Sequence, residues 1–301
     1  MSTPLPDTGH EPVLIDAVLE WLAPKPGQTM VDCTVGRGGH SHALASRVQP
    51  DGALVGLDYD PRNLEYAVGR LAGLPARLFH ANFAEIQDAL ADADVGPVDG
   101  ILADLGISTN QLFDNTYGLS FNADATLDMR LDPRQRLTAK QIVNNWSEQK
   151  IADTLYQLAD ERFSRRIARK IVESRRLSPI TSTEQLADMV RGVLPAPRGR
   201  RSGEIDPATR TFLALRMAVN DEFGNLERFL KTAPALLKPG GRIAIISFHS
   251  TEDRLVKQAF RSAAQTGSLK ILTNKPVTPD DAETARNPRA RSAKMRVAEK
   301  T

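Results

Sequence analysis

The sequence predicts an α/β protein in which a helical insertion interrupts a parallel sheet. Two observations carry this prediction. Over roughly the first hundred residues, short apolar runs alternate with amphipathic helical patterns, which is the rhythm of a parallel sheet with crossover helices. From Phe113 to Arg210 no convincing buried strand follows, and the most apolar run of the chain, Arg242 to Phe248, comes only afterwards.

Four strands are predicted in the first part of the chain, and three of them end in an aspartate. They are Thr29–Asp32, Ala53–Asp58, Ala76–His80 and Val98–Asp104. Between them, His40–Val48 and Pro61–Leu74 place apolar residues three and four apart, as helices packed on a sheet do. The connections have the ordinary length of strand–helix–strand units.

The interruption is predicted to be helical. Lys150–Arg176 carries apolar residues at near-helical spacing with basic residues opposite, and Thr183–Leu194 repeats the pattern behind a Ser/Thr cap region. Pro195–Gly203 is rich in Pro, Gly and Arg, which predicts a basic loop. Ala208–Leu237 is helical again and ends at the Pro and Gly residues of 236–241. We therefore expect a sheet domain in two parts, 1–112 and 211–301, and an inserted helical domain at 113–210.

Composition excludes several classes of protein. No apolar stretch approaches the roughly 20 residues that a membrane helix needs, and the N-terminus lacks the basic, apolar and small-residue series of a signal peptide. The single cysteine, Cys33, cannot form an internal disulfide or a multi-thiolate zinc site. These observations predict a cytoplasmic protein without a structural metal.

Charge is distributed unevenly along the chain. Residues 1–110 hold 6 Lys and Arg against 15 Asp and Glu, whereas residues 162–201 hold 11 against 3 and residues 286–300 hold 6 against 1. Two basic segments behind an acidic front suggest a polyanionic partner that touches only part of the molecule. Solvated helix faces and a frayed basic C-terminal tail explain the same counts.

The turn after the first strand, residues 32–40 (DCTVGRGGH), opens a helix. Glycine there lets a ligand approach the backbone, and the helix start offers N–H donors. Asp58, which ends the next strand, can accept both hydroxyls of a ribose. The spacing of Gly36, Gly38 and Gly39 does not match a pyrophosphate-binding turn, so the pattern favours S-adenosylmethionine over NAD or ATP.

Two more acids are expected at the same edge of the sheet, because ligands of open parallel sheets bind beyond the carboxyl ends of the strands. Asp104 is followed by Gly106 and a polar run, which predicts an open functional turn. Asp32 fits a ligand-binding acid and a helix cap equally well.

Ten short motifs identify a resemblance. They are His10–Leu14 (HEPVL), Thr34–Ser41 (TVGRGGHS), Leu57–Pro61 (LDYDP), Asp104–Ser108 (DLGIS), Leu127–Arg130 (LDMR), Pro207–Phe212 (PATRTF), Ala214–Arg216 (ALR), Ser247–Ser250 (SFHS), Glu252–Arg254 (EDR) and Arg291–Lys294 (RSAK). In this order and spacing the chain resembles the bacterial 16S rRNA cytosine-N4 methyltransferase family over nearly its whole length.

The resemblance implies a Rossmann-like methyltransferase domain, S-adenosylmethionine as methyl donor, and a cytidine in the decoding region of 16S rRNA as substrate. It also implies that the helical insertion helps to hold the RNA. The donor site that it implies comprises Gly38, Gly39, His40, Asp58, Phe83, Asp104 and Gln111, with no metal.

Three positions depart from the family pattern. Asp206 stands where the family commonly has His, Thr126 replaces a Pro, and Thr251 replaces a Leu. None belongs to the donor residues, but Asp206 puts the RNA contacts of its segment in question.

Asp104 is the candidate catalytic residue. A cytosine amino group is a poor nucleophile, and a carboxylate that accepts its N–H bond eases proton loss. Asp104 could instead only pair with the donor's amino group, and sequence position does not separate the two roles. His249 and Ser250 follow the fifth strand and could contact the base, although a strand-end cap is the simpler interpretation of His249.

Two other functions fit parts of the sequence. A small-molecule methyltransferase with a helical lid is disfavoured by the basic segments, because a small substrate needs no extended cationic surface. A non-catalytic RNA-binding or ribosome-assembly factor is disfavoured by Gly38, Gly39, Asp58 and Asp104. The expected RNA-phosphate contacts are Arg165, Arg166, Arg169 and Arg198 to Arg201, together with the basic C-terminal tail.

Overall fold

A computed structural model describes residues 12–193 and 206–301. The strands, in chain order, are β1 (Thr29–Asp32), β2 (Ala53–Asp58), β3 (Ala76–His80), β4 (Val98–Asp104), β5 (Leu237–Ser247), β6 (Leu269–Ile271) and β7 (Lys294–Lys300). The helices are α1 (Ile15–Leu22), α2 (Gly39–Val48), α3 (Pro61–Arg70), α4 (Ile86–Asp92), α5 (Thr109–Phe113), α6 (Ala139–Asn145), α7 (Glu148–Ala159), α8 (Ser164–Leu177), α9 (Thr183–Val193), α10 (Thr209–Val219), α11 (Glu222–Thr232), α12 (Ser250–Gln265) and α13 (Asp281–Arg286).

The strands form one sheet in the order β3-β2-β1-β4-β5-β7-β6. The first five strands run parallel, and β7 runs antiparallel to both β5 and β6. The predicted α/β class with a parallel sheet is confirmed, and β1 to β4 have the predicted boundaries.

Alternate residues of the central strands are buried on opposite faces of the sheet, as the period of two requires. Val31, Ile101 and Ile245 belong to one apolar core, which α4, α11 and α12 cover. Met30 and Leu102 belong to the other, which α1 and α2 cover. This two-sided burial fixes the strand ends, and therefore the turns that follow them, as a rigid edge.

The C-terminal segment is not the frayed tail that its charge suggested. β7 is a strand inside the sheet, between β5 and β6, and Met295 and Val297 are fully buried. Its buried Arg296 donates to Asp253 across 2.6 Å, which compensates the charge. The segment has many basic residues, and they drew attention away from the apolar residues that alternate with them.

Two predicted helices are also divided. The helix expected at 150–176 breaks where Asp160 adopts a left-handed φ of 50°, between α7 and α8. The helix expected at 208–237 breaks at Asp221, with φ 47°, between α10 and α11. Residues 237–241, expected to end a helix, instead begin β5, which has an irregular register there.

The chain divides into two compact units, one of residues 1–106 and 223–301 and one of residues 107–222. The first contains the sheet. The second contains α5 to α10, whose core includes Ile151, Leu155 and Ile167, all fully or almost fully buried. The described residues contain no helix long and apolar enough to cross a membrane.

Candidate active site

Three aspartates lie at the carboxyl ends of three neighbouring parallel strands. Asp32 ends β1, Asp58 ends β2 and Asp104 ends β4, and β1 lies between the other two strands. This edge is where open parallel sheets bind their ligands. The three carboxyl groups differ in how completely they are hydrogen-bonded, and this difference separates their roles.

The backbone of the turn between β1 and α2 favours glycine. Gly36 and Gly38 both have left-handed φ, 53° and 79°, and Gly38 caps α2 at its N-terminus. Gly39 packs so closely on Pro12 that a Cβ would lie 2.5 Å from its ring. The turn therefore requires glycine at these positions for backbone geometry and for close packing.

Asp58 is buried and accepts backbone N–H groups at both oxygens. Its Oδ2 accepts from Gly36 across 2.7 Å and, at 3.4 Å, from the Asn63 side chain, whereas its Oδ1 accepts from Asp60 across 2.8 Å. Burial raises its pKa to about 7, although these hydrogen bonds lower it. Each carboxylate oxygen can accept about two hydrogen bonds, so Oδ1 retains capacity for a hydroxyl donor.

Asp32 is fully buried and its hydrogen bonds stay within the turn. Its Oδ2 accepts from Ser41 across 2.6 Å, and its Oδ1 accepts from the Thr34 backbone across 3.1 Å. Burial raises its pKa. The contacts favour the structural interpretation of Asp32, because they bind the start of α2 to the end of β1.

Asp104 is the least satisfied of the three acids. Its Oδ1 is buried without a hydrogen-bond partner among residues 12–193 and 206–301, while its Oδ2 lies 3.7 Å from Nδ1 of His40. Burial, and then the charges of Asp32 and Glu252, raise its pKa well above the usual range. Because an unpaired buried carboxyl oxygen is unfavourable, Asp104 is suited to a cation or an N–H donor.

The remaining candidates occupy different surroundings. Phe83 follows β3 and is 8% exposed, with its ring edge-on to Phe229 at 5.6 Å, so it packs in the core. Gln111 is buried in the second unit, where its Oε1 accepts from the Ser108 backbone. The roles of these two residues in donor binding stay predictions.

His249 occupies the N-cap position of α12. Oε2 of the buried Glu252 accepts from the backbone N–H groups of Phe248 and His249, and the His249 Nε2 lies 2.9 Å from Oε1. These contacts favour the strand-end cap. The residue pair His-x-x-Glu at a helix start was the signal for this cap.

Two contributors to the site were missed from the sequence. Thr34 Oγ1 accepts from the Asp104 backbone across 2.7 Å, which fastens β4 to the glycine turn. Tyr59 donates its hydroxyl to the Gly106 carbonyl across 3.3 Å. Both residues lie inside motifs that carried the resemblance, but only the fold gives them these partners.

The basic candidates of the insertion lie on one face of α8. Arg165, Arg166 and Arg169 are exposed. Arg166 donates to the Val193 carbonyl across 2.7 Å, and Arg169 lies 3.7 Å from Glu148. Arg198 to Arg201 lie outside the described residues.

Asp206, the departure from the family pattern, has an intramolecular partner. Its carboxylate lies 3.0 Å from Arg191, and its Oδ1 also accepts from the Ala208 backbone. The acid therefore supports the start of α10. Of the other two departures, Thr126 forms an isolated bridge with Ser182, and Thr251 is the second residue of α12.

Comparison with known proteins agrees with the motifs. The sequence profile of the MraW methylase family matches residues 7–301. A relative from Acidobacterium capsulatum, named Ribosomal RNA small subunit methyltransferase H, is 46% identical over 300 residues, which cover 97% of this chain and 98% of the relative. A relative of the same name from Geobacter sulfurreducens is 46% identical over 308 residues, with 97% and 98% covered.

The family expectation and the predicted enzyme class, a methyltransferase, are confirmed by these matches. They span both the sheet unit and the helical unit. The chain belongs to the MraW methylase family.

Proposed function

We propose that this protein transfers a methyl group from S-adenosylmethionine to the N4 amino group of a cytidine in the decoding region of 16S rRNA. The observation that supports it most is the contrast between two carboxyl groups at one sheet edge. Asp58 is held in place by backbone donors, whereas Asp104 has a buried oxygen without a partner among the described residues. Ribosomal RNA is a cytoplasmic substrate, so we place the protein there.

The residues present fit this donor. Asp58 suits ribose hydroxyls because its carboxylate retains acceptor capacity at Oδ1. At Gly36 no atom lies closer than 3.9 Å to the place of a Cβ, so a ligand can approach the backbone there. Asp104 suits an ammonium or amino group. When bound, the donor supplies an electrophilic methyl group on a sulfonium centre, which needs no metal.

The chain's own contribution to the reaction is positioning and proton acceptance. Alignment of the amino nitrogen at near-attack distance supplies much of the rate. A carboxylate that accepts the N4 hydrogen concentrates the lone pair on nitrogen and takes up the proton as the bond to carbon forms. Asp104 fits this role, because its Oδ1 is an acceptor held in a buried site.

The helical unit is proposed to hold the RNA through phosphate contacts. Arg165, Lys170 and Arg176 are exposed on α8, and the helix carries six basic residues against one acid. Lys and Arg contacts to phosphate position a nucleic acid without reading its sequence. Such a surface disfavours the small-molecule alternative, and the intact donor turn disfavours a non-catalytic RNA-binding factor.

A nucleoside assay tests the proposal. Small subunits isolated from a strain that lacks the enzyme are incubated with the purified protein and S-adenosylmethionine, and the RNA is digested for mass spectrometry. We expect N4-methylcytidine from the wild type and a large loss with Asp58→Ala. Donor binding without any methylated nucleoside would refute the substrate. Absence of donor binding would instead favour the assembly factor.

A further inference from the structure

The N-terminal part of the described chain fixes the protonation of one ring nitrogen of His40. The imidazole is 5% exposed, and its Nε2 lies 2.9 Å from the carbonyl oxygen of Val13. A carbonyl oxygen can only accept, so Nε2 carries a hydrogen. Consequently Nδ1 carries a hydrogen only when the imidazole is cationic.

That second nitrogen faces Asp104. Nδ1 and Oδ2 are 3.7 Å apart, and both side chains are largely buried, with 6% and 20% of their surfaces exposed. This separation is too long for a hydrogen bond, but it is within the range of an ion pair. A cationic imidazole would therefore attract an ionised Asp104.

Two further acids lie near His40 and Asp104. Asp32 from β1 and Glu252 from α12 are both buried, and their charges raise the pKa of Asp104. The charge of His40 on α2 lowers the pKa of Asp32, which burial raises. Three carboxyl groups and one imidazole therefore share a poorly solvated space. Burial and the two acids raise the pKa of Asp104, and a neighbouring cation opposes that rise.

We propose that His40 is cationic and forms an ion pair with Asp104, so that its imidazolium keeps Asp104 ionised and leaves Oδ1 to accept the amino proton of the base. His40 acts through Asp104 and is a positioning residue. The inference rests on the proposed function, because it assigns the amino proton to Asp104.

Methyl transfer to N4 releases one proton. The lone pair of N4 forms the bond to the methyl carbon, while the carbon–sulfur bond of the donor breaks and its electron pair stays on sulfur, which leaves as a neutral thioether. The N–H bond of N4 breaks, and its electrons stay on N4 as the new lone pair. The proton forms an O–H bond with Asp104 and passes to solvent when the products leave. His40 keeps its own proton throughout, and the enzyme returns to its starting charge.

Nitrogen NMR of the imidazoles tests the pair in the protein without donor or RNA. The chain has five histidines, and His40→Gln identifies the His40 signals. We expect His40 to be cationic at pH 7, and Asp104→Asn to lower its pKa by about one unit or more, as loss of an adjacent opposite charge does. The signals of His42, exposed on the same helix, are the control and should be the same in both proteins. A His40 that is neutral at pH 7, or whose titration Asp104→Asn leaves in place, overturns the proposal.

The pH dependence of single-turnover methylation tests the consequence. In His40→Gln the amide nitrogen can still donate to Val13, but the cation is lost, so the pKa of Asp104 rises. The acid limb of the rate should move up by about one pH unit or more, and the rate should approach that of the wild type at high pH. His42→Gln is the matched control and should follow the wild-type curve. An equal loss of rate at every pH, or no loss of rate at all, would contradict the positioning role of His40.

The two measurements also separate this inference from the proposed function. If the wild type forms no N4-methylcytidine, the proposed reaction fails, and the NMR titration still decides whether His40 and Asp104 form an ion pair. If His40→Gln does not fold, as judged by its thermal transition, variants of the other four histidines identify the His40 signals by elimination. The titration of His40 in Asp104→Asn then decides alone.

Discussion

The backbone N–H of Gly36 donates to Oδ2 of Asp58 across 2.7 Å, so the glycine turn after β1 and the acid that ends β2 hold each other in place. The two residues are 22 positions apart in the chain. Because of this bond, substitutions of Asp58 affect the turn as well as the carboxylate. The experiments on Asp58 therefore need a variant that keeps the acceptor.

Asp58→Ala should weaken S-adenosylmethionine binding by roughly 1.5–3 kcal/mol, the range for hydrogen bonds to a charged group. Asp58→Asn keeps one acceptor oxygen, so it should lose less donor affinity than Asp58→Ala. Isothermal calorimetry gives both affinities, and thermal unfolding shows whether each variant is folded. Unchanged affinity in a folded Asp58→Ala protein would show that the donor does not bind at this end of β2.

Donor affinity should depend on pH through Asp58. Its pKa is raised to about 7, so about a tenth of the group is ionised at pH 6 and about nine tenths at pH 8. Ribose hydroxyls donate to the ionised form, so affinity should rise by roughly tenfold over this interval. Asp58→Asn should lack this component of the pH dependence. Identical slopes in the two proteins would show that Asp58 is not the titrating group.

Asp104→Asn separates proton acceptance from donor binding. Asn has nearly the same size and keeps a carbonyl acceptor, but it lacks the charge. If Asp104 takes the amino proton, the single-turnover rate should fall by roughly 10²-fold or more at saturating donor, with a modest loss of donor affinity. A rate that recovers at saturation would instead assign Asp104 to donor binding alone.

The basic face of α8 should control the salt dependence of RNA binding. Replacing Arg165, Arg166 and Arg169 by Ala should flatten the slope of log affinity against log salt by about 0.7–0.9 for each phosphate that is no longer neutralised. Arg47→Ala, on the exposed surface of α2, is the control and should leave the slope unchanged. Arg166 also donates to Val193, so unfolding must be measured. Lower activity with an unaltered slope would give these residues a structural role.

Local sequence determined the first half of the sheet and the position of its ligand edge. The runs that form β1 to β4 are bounded by turns, and β1, β2 and β4 are apolar at most positions because they are buried on both faces of the sheet. Asp32, Asp58 and Asp104 follow directly from those boundaries. The motifs also indicated the family, because their order along the chain does not depend on tertiary contacts.

Only the tertiary structure decided which acid is available. Both oxygens of Asp32 accept hydrogen bonds, from Ser41 and Thr34. The Asp104 backbone instead donates to Thr34, 70 positions away, and its carboxylate lies near His40. Likewise β7 is an inner strand through its pairing with β5 and β6, and its buried Arg296 donates to Asp253, 43 positions earlier. Burial and charge compensation are sums over contacts distant in sequence, so a local pattern does not contain them. The buried, unpartnered oxygen of Asp104 among the described residues is therefore a property of the fold rather than of any one motif.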